Sequence, residues 1–193
     1  MAKKLTDFIM VIDEVMPKDL AKEILDEYVP SDAWRSYNGD YAGSGSAIPI
    51  SMSAVIGTSS IRRQIEKKVA HHVTEAYKKY YATHARMEQG LDFVNARSCT
   101  GFRLLRYNTG ESLANHVDKH PDLAPNQQGW PLIAMSALLN DDYQGGELVL
   151  LDGEMTVPAK AGRAVFFPST FLYPHSVNKV IRGTRYAVVT WFL

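Results

Sequence analysis

From residue 93 to residue 193 the chain is a succession of short β-rich runs: "FVNARS", "GFRLLRY", "LIAMSALL", "GELVLL", "RAVFFP" and "RYAVVTWFL". Turn signals separate them, namely "NTGE", "NDDYQGG", "DGE", "PAKAG" and "VIRGT". Runs of four to eight apolar and β-branched residues, punctuated by Gly, Asn, Asp and Pro, describe strands joined by tight connections. At least six of them in about 100 residues call for a sandwich or a barrel, because strands this short become stable only when their sheets pack on another layer.

The first half supplies that layer. "DFIMVIDEVM" reads as a short strand, and Pro17 fits the first turn of a helix through "KDLAKEILDEYV", with Leu20, Ile24, Leu25 and Tyr28 at helical spacing. A second helix is predicted from about Ser59 to Tyr81, where Ile61, Ile65, Val69, Val73, Ala76 and Tyr80 form one apolar stripe. His72 lies beside that stripe and His71 off it, with no partner four residues on, so both read as packing or surface residues. The Gly-, Ser- and Pro-rich stretch from 30 to 58 reads as a long loop. Two helices followed by strands give an α+β chain, and its 193 residues suffice for one domain with its own core. The expected division is helical support over about 1–92 and a β core over about 93–193.

Composition narrows the partners. Twenty-one basic and 21 acidic side chains cancel, so no global field points to nucleic acid or to an anionic membrane surface. Cys99 is the only cysteine, which excludes an intrachain disulfide and fits a reducing compartment. The opening "MAKKLTDFIMVIDEVMPKD" has its apolar run interrupted by acidic residues, too short for a signal-peptide core or a membrane span. A cytoplasmic protein is the expectation; the oligomeric state is not written in the sequence.

Chemistry concentrates in "NHVDKH", residues 115–120. His116 and Asp118 are two apart, a spacing that on a strand directs both side chains to one face. His175, in "YPHSV", lies 57 residues beyond Asp118 and follows an apolar strand, which makes it the candidate third ligand. Two histidines and one carboxylate on one face of an iron leave the opposite positions open, as in non-haem Fe(II) oxygenases. An ordinary polar turn has the same local spacing, so these three residues alone leave both readings standing. His120 is four residues from His116, but Pro121 and the preceding glycine turn argue against a helical zinc pair, and His120 is expected at a rim or in solvent. Ten residues past His175 comes Arg185. With "VIRGT" as a turn, its strand is expected to return antiparallel beside the His175 strand and bring the guanidinium to the pocket, where it needs an anion. Arg182, in the turn, reads as a surface residue. Gly145 and Gly146 read as a tight turn or bulge, and Gly110 and Gly183 as turn glycines.

Taken in order, these segments resemble the catalytic core of the 2-oxoglutarate- and Fe(II)-dependent dioxygenases, in particular the prolyl-hydroxylase branch. "LRYNTGESLANHVD" is similar to that branch's run from a tyrosine through a glycine turn to H-x-D. "LLNDDYQGGELVLL" resembles its "YLN…GGEL" hairpin, "PAKAGRAVFFPS…PHSV" the strand leading to the distal histidine, and "RGTRYAVVTWF" the segment with a 2-oxoglutarate arginine and a pocket tryptophan. The resemblance covers about residues 102–192. It implies a double-stranded β-helix (jelly-roll) core braced by the N-terminal helices. It also implies His116, Asp118 and His175 as iron ligands and Arg185 as the partner of the distal 2-oxoglutarate carboxylate. Tyr107 would be a hydrogen-bonding tyrosine of the cosubstrate, and Trp191 an aromatic wall. The implied cofactors are Fe(II), 2-oxoglutarate and O₂, with ascorbate as an auxiliary reductant. The implied reaction is hydroxylation of an unactivated C–H bond with release of succinate and CO₂, on a prolyl residue of a peptide or protein.

The chain also departs from the pattern. Leu138 stands where some members have a second cosubstrate tyrosine, leaving Ser136 and Thr190 as nearby hydroxyls, and Ala187 replaces a Ser or Thr two residues after Arg185. The segments 35–55 and 119–131 are expected as lids. Other readings stay open at this point: a hydroxylase of a free amino acid or other small metabolite, a cupin-like metalloenzyme without 2-oxoglutarate, or a non-catalytic peptide-binding relative.

Overall fold

A computed structural model of the chain describes residues 3–36, 44–49, 59–84, 96, 98–118 and 131–193. After a single 3₁₀ turn at Leu5–Phe8 the elements are β1 (Met10–Ile12), α1 (Lys18–Tyr28), β2 (Arg35–Ser36), β3 (Ser46–Pro49) and α2 (Ser60–His84). The β-rich half follows: β4 (Arg103–Asn108), β5 (Leu113–His116), β6 (Ile133–Leu138), β7 (Gln144–Gly145), β8 (Leu148–Leu150) and β9 (Met155–Val157). It closes with β10 (Ala164–Pro168), β11 (His175–Val177), β12 (Val180–Arg182) and β13 (Thr184–Phe192).

The strands form a major sheet in the order β1-β10-β6-β13-β4-β3-β2, a minor sheet β5-β11-β8-β9, and the pair β12-β7. Every pairing is antiparallel. The two larger sheets face each other across one apolar core that includes Leu105, Leu113, Leu150, Val165, Val177 and Val189. The other face of the major sheet is covered by the helices. Leu20, Ile24 and Tyr28 of α1 and Ile65, Val69, Val73, Ala76 and Tyr80 of α2 pack on Leu104, Ile133, Met135, Phe166, Val188 and Phe192. The Tyr77 ring lies 4.0 Å from that of Phe192, nearly parallel to it. This is the helix-braced jelly roll expected from the sequence. It also explains why "LIAMSALL" and "RYAVVTWFL" are almost continuously apolar: a central strand buried on both faces has no solvent side to make polar.

Several expectations need correction. The stretch from 30 to 58 is not loop throughout. β2 and β3 extend the major sheet through β3–β4 pairing, held by backbone bonds and by Arg106 Nε donating to Ser46 Oγ at 3.0 Å. Strands of two and four residues are too short to show an alternation that a pattern could catch. α2 runs three residues past Tyr81, to His84, whose buried ring sits between the carbonyls of Tyr80 (2.8 Å) and Asp7 (3.2 Å). Ile61 is exposed, because the first turn of α2 meets α1 through the Arg62–Glu27 ion pair at 2.7 Å. "FVNARS" falls largely outside the described residues; beyond it only an isolated bridge joins Cys99 to Phe192.

The largest correction concerns the last turn. β13 does not return beside the His175 strand. β11 is already bounded on one side by β5 and on the other by β8, so it offers no edge. The chain instead crosses to the major sheet, where β13 enters between β4 and β6. Among the described residues no helix is long and apolar enough to cross a membrane.

Candidate metal and cosubstrate site

The space between the two sheets is a pocket lined by all six residues singled out from the sequence: Tyr107, His116, Asp118, His175, Arg185 and Trp191. The minor sheet carries the histidines. His116 ends β5 and lies directly opposite His175 in the β5–β11 register, so the two rings meet with centroids 4.2 Å apart. Asp118 is not on the strand as expected; it sits in a bend two residues beyond it, which turns its carboxylate back toward both rings. Its Oδ1 lies 3.9 Å from His116 Nε2 and 3.6 Å from His175 Nε2. One ligand atom from each residue falls within 4.8 Å of the others.

Two features make this set a donor site. His116 Nδ1 lies 2.9 Å from the Ala114 carbonyl and His175 Nδ1 lies 3.2 Å from that of Tyr173. A carbonyl only accepts, so each Nδ1 carries the proton and each Nε2 is the unprotonated nitrogen, the one nearer Asp118. Burial, and then the neighbouring His175, holds the His116 imidazole below its ordinary pKa, in the neutral form a metal requires. Asp118 is only 5% exposed, and its Oδ2 is buried with no hydrogen-bond partner. A carboxylate taken out of water with a vacant oxygen calls for a cation, and the two imidazole lone pairs beside it fit a borderline metal such as iron(II).

The major sheet carries the opposite charge. Arg185 is 1% exposed, and its Nε and Nη1 are buried without a partner. Arg185 faces Tyr107 across the β13–β4 register, with the guanidinium carbon 5.5 Å from the ring centroid. Leaving a buried guanidinium unpaired is costly, so the pocket is built for an anion. A small dicarboxylate with one end on the cation site and the other on Arg185 satisfies both orphaned groups.

The other expectations divide. Ser136 lines the pocket, whereas Thr190, with its neighbours Val188 and Phe192, lies on the helix-facing side of β13 and is no substitute for the missing tyrosine. Gly110, Gly145, Gly146 and Gly183 all have positive φ, as turn glycines should. Gly146 does more: a Cβ there would lie 3.2 Å from Arg185 Cδ and 3.2 Å from the Tyr143 ring. Tyr143 itself went unremarked in the sequence, although its place between "NDD" and "QGG" put it beside the hairpin glycines. It is buried against Arg185. Burial raises its phenol above the ordinary value and the guanidinium opposes that rise, yet the phenol oxygen makes no hydrogen bond of good geometry. His120 and most of the expected lids, residues 37–43, 50–55 and 119–130, lie outside the described residues.

Comparison with known proteins agrees with this geometry. The profile described as the 2OG-Fe(II) oxygenase superfamily matches residues 102–193. A PKHD-type hydroxylase of Psychrobacter sp. (strain PRwf-1) is 42% identical over 93 residues, covering 44% of this chain and 34% of that protein. The chain thus spans about a third of the length of that relative. Among solved structures, a Pseudomonas putida prolyl-4-hydroxylase superposes with a TM-score of 0.61 at 20% identity, over 96% of this chain and 91% of that one. A Trichoplax adhaerens prolyl hydroxylase in complex with a hypoxia-inducible-factor peptide fragment gives 0.67 at 19% identity, over 97% and 84%. Residues 102–193 are thus similar to the 2OG-Fe(II) oxygenase superfamily, and the chain shares the fold of prolyl hydroxylases.

Proposed function

We propose that this chain is a 2-oxoglutarate- and Fe(II)-dependent dioxygenase that hydroxylates a prolyl residue in a peptide or protein. The observation that carries the reading is the pairing, in one pocket, of a buried carboxylate lacking a cation with a buried guanidinium lacking an anion. In this reading His116 Nε2, His175 Nε2 and the Asp118 carboxylate hold iron(II), and Arg185 binds the distal carboxylate of 2-oxoglutarate. Tyr107, opposite Arg185, orients the cosubstrate, and Trp191 walls the side where substrate enters. The helical part, about 1–92, serves as support for the catalytic β part, about 93–193, within one domain.

Bound iron with 2-oxoglutarate and O₂ supplies an oxidant able to hydroxylate an unactivated C–H bond, with succinate and CO₂ as coproducts. The protein's own contribution is placement and dryness. The carbonyls of Ala114 and Tyr173 fix both imidazoles in the ligating tautomer. Leu113, Leu148, Val177 and Val189 line the pocket with apolar surface, which limits water around the reacting atoms. The prolyl substrate is supported by the two prolyl hydroxylases of like fold, one of them held with a peptide. An X-Pro segment is already biased to an extended backbone and loses less entropy on entering a groove. The exposed, unpaired Cys99 accords with a cytoplasmic setting.

The test is anaerobic addition of Fe(II) and then 2-oxoglutarate, followed by air, ascorbate and proline-containing peptides. A visible metal-to-ligand charge-transfer band, then succinate and a product heavier by one oxygen, is the expected result. A silent spectrum removes the 2-oxoglutarate reading. A band with product only from free amino acids retains the dioxygenase and replaces the substrate.

A further inference from the structure

The sheet registers define a transverse row at the metal end of the pocket. Phe167 of β10 is opposite Ala134 of β6, and Ala134 is opposite Trp191 of β13. Phe167 packs edge-on against the ring of His175, with centroids 4.8 Å apart. Trp191 therefore lies in the row that meets the His175 ring, six residues along β13 from Arg185. Small Ala134 leaves room between the two aromatic side chains.

Arg103 belongs to this end. On β4 it shares a face with the pocket-lining Leu105 and Tyr107, and it is cross-strand to Val189, another lining residue. Its guanidinium carbon lies 5.6 Å from the Trp191 ring centroid. Arg103 is exposed and forms no ion pair with any described carboxylate. The Trp191 indole Nε1 is buried and has no hydrogen-bond partner. A guanidinium stacked on an aromatic face has its position fixed while its edge N–H donors remain available, the geometry suited to a carboxylate. Two donor groups without acceptors thus sit side by side, at the row that meets His175 and six residues along β13 from Arg185.

We propose that Arg103 and Trp191 form a substrate-side subsite for a carboxylate, so that the substrate carries an anionic group next to the carbon that is hydroxylated. This rests on the reading of the pocket as a dioxygenase site. The carboxylate has two possible sources, an acidic side chain adjoining the reacting residue in a peptide or the α-carboxylate of a free amino acid. In either case Arg185 holds the cosubstrate at one end of the pocket, and Arg103 selects the substrate at the other.

The experiment uses the full chain with Fe(II) and 2-oxoglutarate, and two matched pairs of probes. One pair is the doubly capped peptides Ala-Pro-Glu-Ala and Ala-Pro-Gln-Ala; the other is L-proline and L-prolinamide. Binding is measured calorimetrically without oxygen, and KM and kcat with oxygen. A charge-assisted contact predicts that the carboxylate member of one pair binds about tenfold to hundredfold more tightly, and the responsive pair names the source. Arg103→Gln should abolish that preference through KM with little change in kcat. Arg103→Lys should recover part of it, and exposed Arg182→Gln should leave it intact. Equal binding within both pairs, binding of none of the four probes, or a preference that survives Arg103→Gln overturns the subsite. Succinate formed with either amide probe upholds the dioxygenase even then, whereas loss of the charge-transfer band removes the underlying reading itself.

Discussion

Arg185 and Tyr107 face each other across the β13–β4 register, and the guanidinium lies 5.5 Å from the phenol ring at the deep end of the pocket. The pair is positioned by backbone pairing of two central strands. The guanidinium does not depend on a loop for its placement.

The first prediction follows from that buried, unpaired charge. Arg185→Ala should raise the 2-oxoglutarate KM about thirtyfold or more while iron still binds, since losing one partner of a desolvated ion pair costs about 2–5 kcal/mol. Arg182, exposed on β12, should tolerate alanine. Arg185→Met gives a readout without turnover: it removes an uncompensated charge and should raise the melting temperature of the metal-free protein. 2-Oxoglutarate with Fe(II) should stabilise wild type more than this variant. Equal ligand-induced shifts in the two proteins would show that the anion binds elsewhere.

The second concerns the metal. His116→Ala, His175→Ala and Asp118→Ala should each abolish stoichiometric Fe(II) binding, because each removes one of three candidate ligands whose donor atoms already lie within 4.8 Å of one another. Loss should be visible by titration with Co(II), whose d–d absorption reports coordination. His120→Ala should bind normally, and impaired binding there would make it a fourth ligand.

Much of this arrangement was legible because H-x-D, the distal histidine and the late arginine are short-range patterns attached to strands. The long-range pairing of those strands was not. The register that sets Arg185 opposite Tyr107 depends on which strand edges are already occupied, and β11 is filled on both sides before β13 arrives. Periodicity fails differently at β3, whose role rests on backbone bonds to β4 that side-chain pattern does not encode. Tyr143 was missed because a lone tyrosine between turn residues looks like surface. Two glycines admit it: Gly146 leaves its ring 3.2 Å from where a Cβ would be, and Gly183 leaves its Cβ at 3.1 Å.

That close packing yields the third prediction. Gly146→Ala adds a methyl group 3.0 Å from Val180 Cγ2 and 3.2 Å from both Arg185 Cδ and the Tyr143 ring, at φ +67°. Left-handed backbone alone costs an alanine about 1–2 kcal/mol. The variant should melt several degrees lower and show a raised 2-oxoglutarate KM, because the guanidinium must move to admit the methyl. Wild-type KM at reduced stability would separate the strain from the site.

A fourth prediction uses the strap at the end of β1. Asp13 accepts from Arg163 Nε and Lys160 Nζ, both at 2.7 Å, and these hydrogen bonds lower its pKa from 3.8 to about 2. A depressed carboxyl pKa means that the native state binds fewer protons than the unfolded chain, so the contribution is full above about 3.8 and fades as pH falls through about 2. Asp13→Asn should therefore melt lower than wild type at neutral pH, with the gap closing in acid and shrinking in high salt. A gap independent of pH would assign the effect to packing.

The last prediction separates substrate from cosubstrate. Ala134 is 4% exposed and lies between Phe167 and Trp191 in the row nearest the candidate metal, so its small side chain sets the space there. Ala134→Leu fills that space from β6, a strand that carries none of His116, Asp118 and Arg185. Overpacking of this kind costs about 1–3 kcal/mol, which the chain should survive with a lowered melting point. Iron and 2-oxoglutarate should still bind and give the charge-transfer band, because Arg185 and Tyr107 lie at the other end of β13 and β4. Substrate-dependent succinate formation should fall at least tenfold, while the slow substrate-independent decarboxylation persists. If the variant turned over peptide at the wild-type rate, the substrate would enter away from the Phe167–Trp191 row, and the pocket's mouth would have to be sought along another edge of the two sheets.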